Sequence, residues 1–469
     1  MIRAESPTIR VAAGFLILLG AVAAINPHTV ITVAAWCAIS LVLGAAIFGT
    51  GESSRVLRAF LFYSAAAISL YLIQRMTLPE YEGFTGMPGI GTDDSYFFAL
   101  AVREVSHGLS AELSSWRPSF FLFSHNYSDA LGVFARVIRT LVGPVHPLDL
   151  IYCNVAIMAL LPSAVARTAQ ALLEDDRVGR VIWWIVLLCP FIAANSVILI
   201  RDGLTAVAFA LALLGVVERR LMLVVVSVAC VAYLRFMQAG LLIASLWIIL
   251  LMDWILRRDL SPRGQWRGVA LLSLPAVGLL AALAVLPTAV ANVDVLLSLL
   301  FREGFLEGWI FERARTDQGT STFYAISQMP LPIRLPLAFA FYFGVPHLVV
   351  DELVMKPIFV PRDYMHAAFS IAFIAYTAYF VRGVFRAWCT NNALLFGIAC
   401  AYLMDILVIS QASMQVRHKV ALMPMFYLVV AAGLKSAPSR VRTVSLIAAA
   451  LVGAFDIVFS GYKLWRFPS

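Results

Sequence analysis

Two adjacent carboxylates, Asp93 and Asp94, follow a Gly- and Pro-rich stretch and precede an apolar stretch that contains Tyr96. Because two carboxylates this close repel each other, one of them tends to keep a proton. Such a pair can serve as a general base or hold a cation. The alternative is structural, since Asp93 and Asp94 also suit the first turn of a helix and its dipole.

A second ionisable pair, Arg201 and Asp202, interrupts two long apolar stretches and is followed by Gly203. Ionisable side chains at membrane depth are functional candidates, and the planar fork of arginine matches a phosphate group. The alternative is that Arg201 and Asp202 neutralise each other where two helices form a hairpin.

Three successive hydrogen-bond donors, Arg417, His418 and Lys419, precede the apolar stretch that contains Pro424. Together they would form a cationic cradle for a lipid diphosphate. The alternative is an ordinary helix end whose long side chains extend to the water.

The composition shows which elements must position these residues. Of the 469 residues, 61% are hydrophobic and only 13% are charged, and the net charge is +8. Soluble domains carry about 25% charged residues. This excess of apolar residues predicts an all-α, polytopic membrane protein and excludes a soluble enzyme or a secreted module. We attribute the basic charge to cytoplasmic loops and expect no nucleic-acid partner, because no nucleic-acid motif is present.

A membrane-spanning helix needs about 20 mostly apolar residues, and about 13 stretches are candidates. They are 11–25, 29–48, 57–74, 148–173, 181–199, 203–217, 221–236, 238–256, 268–290, 365–381, 393–410, 420–434 and 443–460. The stretch 335–350 contains Pro336 and Pro346, and we interpret it as re-entrant or interfacial. Residues 1–469 are therefore expected to form one integral membrane domain.

Orientation follows from Lys and Arg in the short loops, which are retained on the cytoplasmic side. Arg3 and Arg10 place the N-terminus inside, and the basic loops late in the chain agree with this orientation only if 335–350 does not cross. The external side then holds the loop 75–147 with its acidic pair, the turns at Arg201 and Arg235, the segment 291–364 and the turn 411–419. We expect amphipathic helices on the membrane surface in 291–364, which is rich in both charged and aromatic residues.

An acidic pair followed closely by Tyr96, in an early external loop of a chain with many spans, resembles the GT-C class of membrane glycosyltransferases. The resemblance implies a catalytic Asp93 or Asp94, a substrate contact at Tyr96, and a sugar donor carried on a polyprenyl phosphate or diphosphate. Here the loop follows the third span, whereas in many GT-C enzymes it follows the first. The sequence Arg201-Asp202-Gly203 at the head of a span, and Arg417 before a Pro-containing late helix, resemble bacterial O-antigen and exopolysaccharide polymerases.

These features lead us to expect glycosyl transfer on the external face of a bacterial-type inner membrane, to a glycan or lipid acceptor. Asp93 or Asp94 would deprotonate the acceptor hydroxyl. Arg201 and Arg417, helped by His418 and Lys419, would hold the departing phosphate. No cofactor is required, although the two carboxylates are also able to hold a divalent cation. The product is either a growing surface polysaccharide or a singly modified lipid or glycan.

Two other classes stay open. A transporter or flippase of lipid-linked sugars would also show many spans and external cations, with Asp253 and Asp405 as the nearest candidates for charges inside a span. A structural membrane partner would need no chemistry at all. No P-loop and no GxSxG motif is present, which disfavours ATP-driven transport and serine hydrolysis.

Overall fold

The computed structural model describes residues 7–77, 98, 101–102, 125–199, 201–257, 329–344, 361–412, 416–435 and 437–466. Every regular element in these ranges is an α-helix or a short 3₁₀ helix. The expected all-α class is therefore confirmed for the described residues. Helices suit an apolar chain in lipid because each backbone N–H and C=O is satisfied within its own segment.

The helices in the first half of the chain are α1 (Pro7–Ile25), α2 (Thr29–Phe48), α3 (Ser53–Thr77), α4 (His125–Leu141), α5 (Pro147–Met158), α6 (Leu161–Leu173), α7 (Asp176–Leu187) and α8 (Pro190–Ser196). They are followed by α9 (Arg201–Val217), α10 (Leu221–Leu234), α11 (Phe236–Arg257), α12 (Leu331–Gly344), α13 (Pro361–Cys389), α14 (Ala393–Ala412), α15 (Met423–Leu434) and α16 (Ser439–Arg466). Short 3₁₀ helices, Thr50–Glu52 and Val416–Leu422, precede α3 and α15.

Five helical stretches in the described ranges are long and apolar enough to cross a membrane: Thr29–Phe48, Thr50–Ile73, Pro147–Leu173, Gln238–Arg257 and Ala393–Ser410. A sixth forms if α7 and α8, which meet at an angle of 59°, count as one broken span. These helices indicate a membrane-embedded protein. Each stretch predicted from sequence overlaps a helix, except 268–290, which lies outside the described residues. The count of 13 spans and the orientation stay predictions.

The chain forms two compact units. The first comprises 1–243, 346–383 and 420–469, and its most buried helices are α5, α8, α9 and α15. Helix α9 packs against α6, α10 and α15, and α5 packs against α2 and α3. Almost the whole of the stretch Pro147–Leu173 is buried, in agreement with its mainly apolar side chains.

Helices α13 and α15 of this unit approach closely at two glycines. A Cβ atom added at Gly383 would lie 2.9 Å from the carbonyl carbon of Val429 and would overlap its oxygen. A Cβ atom added at Gly433 would lie 2.8 Å from the carbonyl carbon of Tyr379 and would overlap that oxygen. Small residues at helix crossings are typical of membrane bundles, where packing drives association.

The second unit comprises 244–345 and 384–419. Helix α12 packs against α14, and Ser245 Oγ donates a hydrogen bond of 2.5 Å to Asp405 Oδ2 on α14. Helix α12 contains Pro336 and has 14 residues, fewer than the roughly 20 that a span needs. Because residues 345–350 lie outside the described part, the re-entrant or interfacial character of 335–350 stays a prediction.

Candidate functional site

Several residues selected from the sequence lie outside the described part of the structure. They are Asp93, Asp94 and Tyr96, together with the side chains of Arg417 and His418. The backbone of Arg417 and His418 belongs to the 3₁₀ helix that ends at Leu422. In the same helix Lys419 is 5% exposed, so its charge is largely removed from solvent. These roles therefore stay predictions, and the described candidate site is built around Arg201.

The carboxylate of Asp202, in the first turn of α9, is 1% exposed and is paired with Arg235. Arg235 Nη1 lies 2.9 Å from Asp202 Oδ1, and Nη2 donates a hydrogen bond of 3.1 Å to Oδ2. The helix dipole favours a carboxylate at this position of α9. Arg235 is the residue that terminates α10, 33 positions further along the chain. The pair therefore closes the α9–α10 hairpin through a two-point contact.

Arg201 begins α9 and is partly buried beside this ion pair. Its Nη1 atom donates a hydrogen bond of 3.3 Å to the carbonyl oxygen of Leu234, at the end of α10. A cation is favourable at the C-terminus of a helix, where the carbonyl groups lack intrahelical partners. One interpretation of the sequence paired Arg201 with Asp202. In the structure, the ion pair of Asp202 is formed with Arg235 instead. From the sequence Arg235 was recognised only as a turn residue.

Tyr127 and Asn154 support the backbone next to this hairpin. Tyr127 Oη donates a hydrogen bond of 2.9 Å to Asn154 Oδ1, and Asn154 Nδ2 donates one of 2.7 Å to the carbonyl oxygen of Ile198. Ile198 lies in the buried, non-helical stretch 197–199 that follows α8. Because buried backbone carbonyls need partners, Asn154 makes this interruption tolerable. Sequence reasoning missed Asn154, whose only signal is a polar residue within an apolar stretch.

The contact between α8 and α9 is equally close. A Cβ atom added at Gly203 would lie 2.8 Å from the carbonyl oxygen of Asn195, so only glycine fits at this position. Asn195 Nδ2 donates a hydrogen bond of 2.7 Å to the carbonyl oxygen of Phe191. The glycine that follows the Arg-Asp pair therefore allows α9 to begin against α8 and fixes the position of Arg201.

Gln238, in the first turn of α11, follows the same junction. Its backbone N–H donates a hydrogen bond of 3.0 Å to the carbonyl oxygen of Arg235. The residue is 7% exposed, and its Oε1 atom has no hydrogen-bond partner within the part of the chain that the structure describes. The same holds for Nε of Arg235. The site thus combines a fixed ion pair, Asp202 with Arg235, and the second guanidinium of Arg201.

A further polar cluster surrounds the start of α5. Asp149 Oδ2 accepts a hydrogen bond of 2.7 Å from the His146 backbone, and Asp149 Oδ1 accepts one of 2.5 Å from Thr32 Oγ1. His146 Nδ1 accepts from the Leu148 backbone, and its Nε2 lies 3.1 Å from Tyr71 Oη. Burial lowers the pKa of His146; Asp149 partly opposes this and Arg75 adds to it. These contacts cap a helix, so we assign them to structure.

A cleft of about 520 Å³ is lined by residues that include Glu52, Arg167 and Glu218. Its carboxylates are already paired: Glu52 contacts Arg55 at 2.8 Å, and Glu218 contacts Arg167 at 2.5 Å. Arg167 also donates to the carbonyl oxygen of Phe48 at the end of α2. Because these charges are already used to join helix ends, the cleft is a weaker candidate than the region around Arg201.

The chemistry open to the Arg201 region is anion binding. Guanidinium groups in a partly dry site bind phosphate strongly, because weak solvation increases the electrostatic attraction. Within the described ranges no group of three or more His, Cys, Asp or Glu side chains is placed to hold a metal ion. Comparison with known proteins gives no match: no protein-family model, curated protein or solved structure is similar to the chain.

Proposed function

We propose that this chain is an integral membrane glycosyltransferase that acts on the external face with a polyprenyl phosphate- or diphosphate-linked sugar donor. The observation that supports it is the position of Arg201. This guanidinium is partly buried in the first turn of α9, where it donates a hydrogen bond to the carbonyl oxygen of Leu234 and lies next to Asp202, the partner of Arg235.

In the proposed reaction the acceptor hydroxyl oxygen attacks the anomeric carbon, and the bond from that carbon to the phosphate oxygen breaks. Asp93 or Asp94 takes the hydroxyl proton, and Arg201 stabilises the negative charge that grows on the departing phosphate. A diphosphate needs more than one cation, which Arg417, His418 and Lys419 would supply. Tyr96 would contact the sugar. The reaction requires neither a nucleotide nor a cofactor.

We further propose that the protein resides in a bacterial-type inner membrane with its N-terminus in the cytoplasm. The acceptor would be a glycan or a lipid, and repeated transfer would build a surface polysaccharide. Reporter fusions test the orientation. A fusion after Gly91 or Gln411 should report the external side, and one after Arg258 or Arg440 the cytoplasm. A cytoplasmic signal at 411 with an external signal at 91 would place Arg417 on the wrong side and remove the phosphate cradle.

Activity is tested in liposomes that contain the full chain and lipid-linked sugar facing only the external side. The wild type should form a new glycosidic bond, detected by mass spectrometry of the lipid extract. Asp93→Asn or Asp94→Asn should lower the rate by about 10²–10⁴, the usual contribution of a general base. Full activity in both variants would remove the acidic pair from the mechanism.

The phosphate contact is tested in the same liposomes with Arg201→Lys, which keeps the charge but loses the planar fork. We expect slower turnover and weaker binding of sugar-free polyprenyl diphosphate. Arg180→Lys is the matched control, because Arg180 is exposed on α7 and belongs to no site. Equal binding by the Arg201→Lys variant and the wild type would reduce Arg201 to a helix-capping residue.

A second candidate function is transport of lipid-linked sugars. Two observations favour it: the sharp bend between the apolar helices α7 and α8, and Asp405, which is 2% exposed in α14 and accepts a hydrogen bond from Ser245. Discontinuous helices and intramembrane carboxylates occur in many transporters. Movement of labelled lipid across the bilayer without bond formation, abolished by Asp405→Asn, would support this function over glycosyl transfer.

A further inference from the structure

Both ring nitrogens of His146 have hydrogen-bond partners. Nδ1 accepts a hydrogen bond of 3.3 Å from the backbone N–H of Leu148, and Nε2 lies 3.1 Å from Tyr71 Oη on α3. A neutral imidazole has one donor and one acceptor nitrogen, so an accepting Nδ1 leaves the proton on Nε2. Nε2 therefore donates to Tyr71 Oη. The neutral ring thus joins the start of α5 to the last turns of α3.

A protonated ring cannot keep these two contacts. Both nitrogens of an imidazolium are donors, so the Nδ1–H group would face the donating N–H of Leu148. Turning the ring over would bring carbon atoms, which accept no hydrogen bond, to both positions. The ring therefore has to leave, and α5 loses the side-chain cap of its first turn. One proton breaks the cap and the contact with Tyr71 together.

The charges around the ring add to this release. Burial lowers the pKa of His146, Asp149 on α5 partly opposes this, and Arg75 in the last turn of α3 adds to it. Among the described residues, Arg139 at the end of α4 and His28 before α2 do not contribute to this pKa. A proton on His146 places a second positive charge near Arg75, so the end of α3 and the start of α5 then repel each other.

His146 and Tyr71 lie at the two ends of one segment of the chain. Helix α3 ends at Thr77 and α5 begins at Pro147, and between them is the loop that the sequence places on the external side. The same segment contains the acidic pair. His146 is partly exposed, so protons from the surrounding water reach it. A contact between residues 71 and 146 therefore closes this loop at its base and responds to the external medium.

We propose that His146 is an acid-operated latch, formed by the two contacts of its ring with the Leu148 N–H and with Tyr71 Oη. At neutral pH the latch holds the last turns of α3 against the start of α5. When the ring gains a proton, both contacts break and the two helix ends separate. In the proposed glycosyltransferase, acid outside would thus release the base of the loop that carries the acidic pair and slow the reaction. That consequence rests on the proposed function, whereas the latch itself does not.

The test is hydrogen–deuterium exchange of the full chain in detergent between about pH 8 and about pH 4.5, with rates corrected for the chemical effect of pH. In the wild type, the amides of residues 148–152 and 72–77 should exchange about tenfold faster at the acidic end, the effect of a lost helix cap. The amides of α6 are the internal reference and should not respond.

Three variants assign the response. His146→Asn keeps an N-cap but does not titrate, so the start of α5 should stay protected at every pH. Tyr71→Phe removes only the hydroxyl, so the end of α3 should already exchange faster at neutral pH, while the start of α5 still responds to acid. His28→Asn is the matched control, because the His28 side chain caps no helix, and it should behave like the wild type.

Two results would overturn the latch: exchange in the wild type that does not respond to acid, or a response that persists in His146→Asn. An end of α3 that is as protected in Tyr71→Phe as in the wild type would reduce His146 to a helix cap and overturn it as well.

The liposome assay separates the latch from the proposed function. If the wild type forms the glycosidic bond, its rate should fall in acid more steeply than that of His146→Asn. Equal pH profiles would overturn the regulation of the reaction. If no bond forms while exchange shows release by acid, the proposed function fails and the latch stands.

Discussion

Replacing Gly383 or Gly433 with alanine should destabilise the first unit, because α13 and α15 touch backbone to backbone at these positions. The two contacts are reciprocal: Gly383 faces Val429 on α15, and Gly433 faces Tyr379 on α13. Residues 379 and 383 are one helical turn apart, as are 429 and 433. A methyl group at either glycine therefore meets main-chain atoms, which cannot move away by changing a side-chain rotamer.

The geometry sets the size of the effect. The added Cβ would lie 2.9 Å from the Val429 carbonyl carbon or 2.8 Å from that of Tyr379, whereas ordinary contacts begin at 3.4 Å. Because the added Cβ also overlaps the carbonyl oxygen, the helices must separate by well over half an ångström, and tightly packed neighbours must follow. Such overpacking costs about 3 kcal/mol at the upper end of its usual range. Alanine regains about 1 kcal/mol through its helix propensity, so we expect a net loss of about 2 kcal/mol.

The assay is equilibrium unfolding in mixed detergent micelles, followed by the fluorescence of the 10 tryptophans in the chain. Gly20→Ala and Gly240→Ala are the matched controls, because an added Cβ at either position meets no atom within 4 Å. Both controls lie inside helices and should gain up to about 1 kcal/mol. Each crossing variant should therefore differ from the controls by about 3 kcal/mol.

The double variant gives a stricter test. Once the helices have separated to admit one methyl group, the second needs less additional movement, so the combined loss should be smaller than the sum of the single losses. Strict additivity, or stability of either single variant equal to that of Gly20→Ala, would refute the close crossing of α13 and α15.

Two further predictions concern ionisable residues. Asp202→Asn and Arg235→Met should each cost about 3–5 kcal/mol of unfolding free energy, because each leaves a buried charge unpaired. The double variant should recover much of that loss in the same unfolding assay. Additive losses would argue against the pair. Because burial lowers the folded-state pKa of His146 below its ordinary value of about 6.5, the unfolded chain binds the proton more readily, and stability should fall as the pH drops below that value. His146→Asn, which still caps the helix, should make the unfolding temperature nearly independent of pH between about pH 5 and 8. The control variant His28→Asn should keep the pH dependence of the wild type. If His146→Asn also keeps it, another residue is responsible.

The amino-acid sequence determined the helices of this protein to a large extent. The stretches 29–48 and 393–410 coincide with α2 and α14 because a long apolar segment in lipid has to satisfy its own backbone hydrogen bonds. That requirement is local, so composition alone is sufficient to predict the result. The start of α9 at Arg201 was expected for the same reason, since the ionisable pair ends one apolar stretch and begins the next.

The sequence was less informative where one apolar segment is not one helix. The stretch 181–199 is divided between α7 and α8, which meet at 59°, and it ends in the non-helical residues 197–199, which Asn154 supports. Hydropathy does not register this bend because the residues on both sides are equally apolar. The non-helical end of the stretch, in turn, accepts a hydrogen bond at Ile198 from Asn154, which is 44 residues away in the chain.

The tertiary structure alone decided which polar groups meet. Asp202 has Arg201 beside it in the sequence, yet its carboxylate is paired with Arg235 at the far end of α10. Adjacent residues on a helix point in different directions, whereas the ends of two helices in a hairpin are neighbours in space. The burial of Gln238 belongs to the same category, because burial is a property of packing and not of residue type. The sequence determined that a cation begins α9, and the packing of α8 and α10 against α9 decided that this cation lies beside a fixed ion pair.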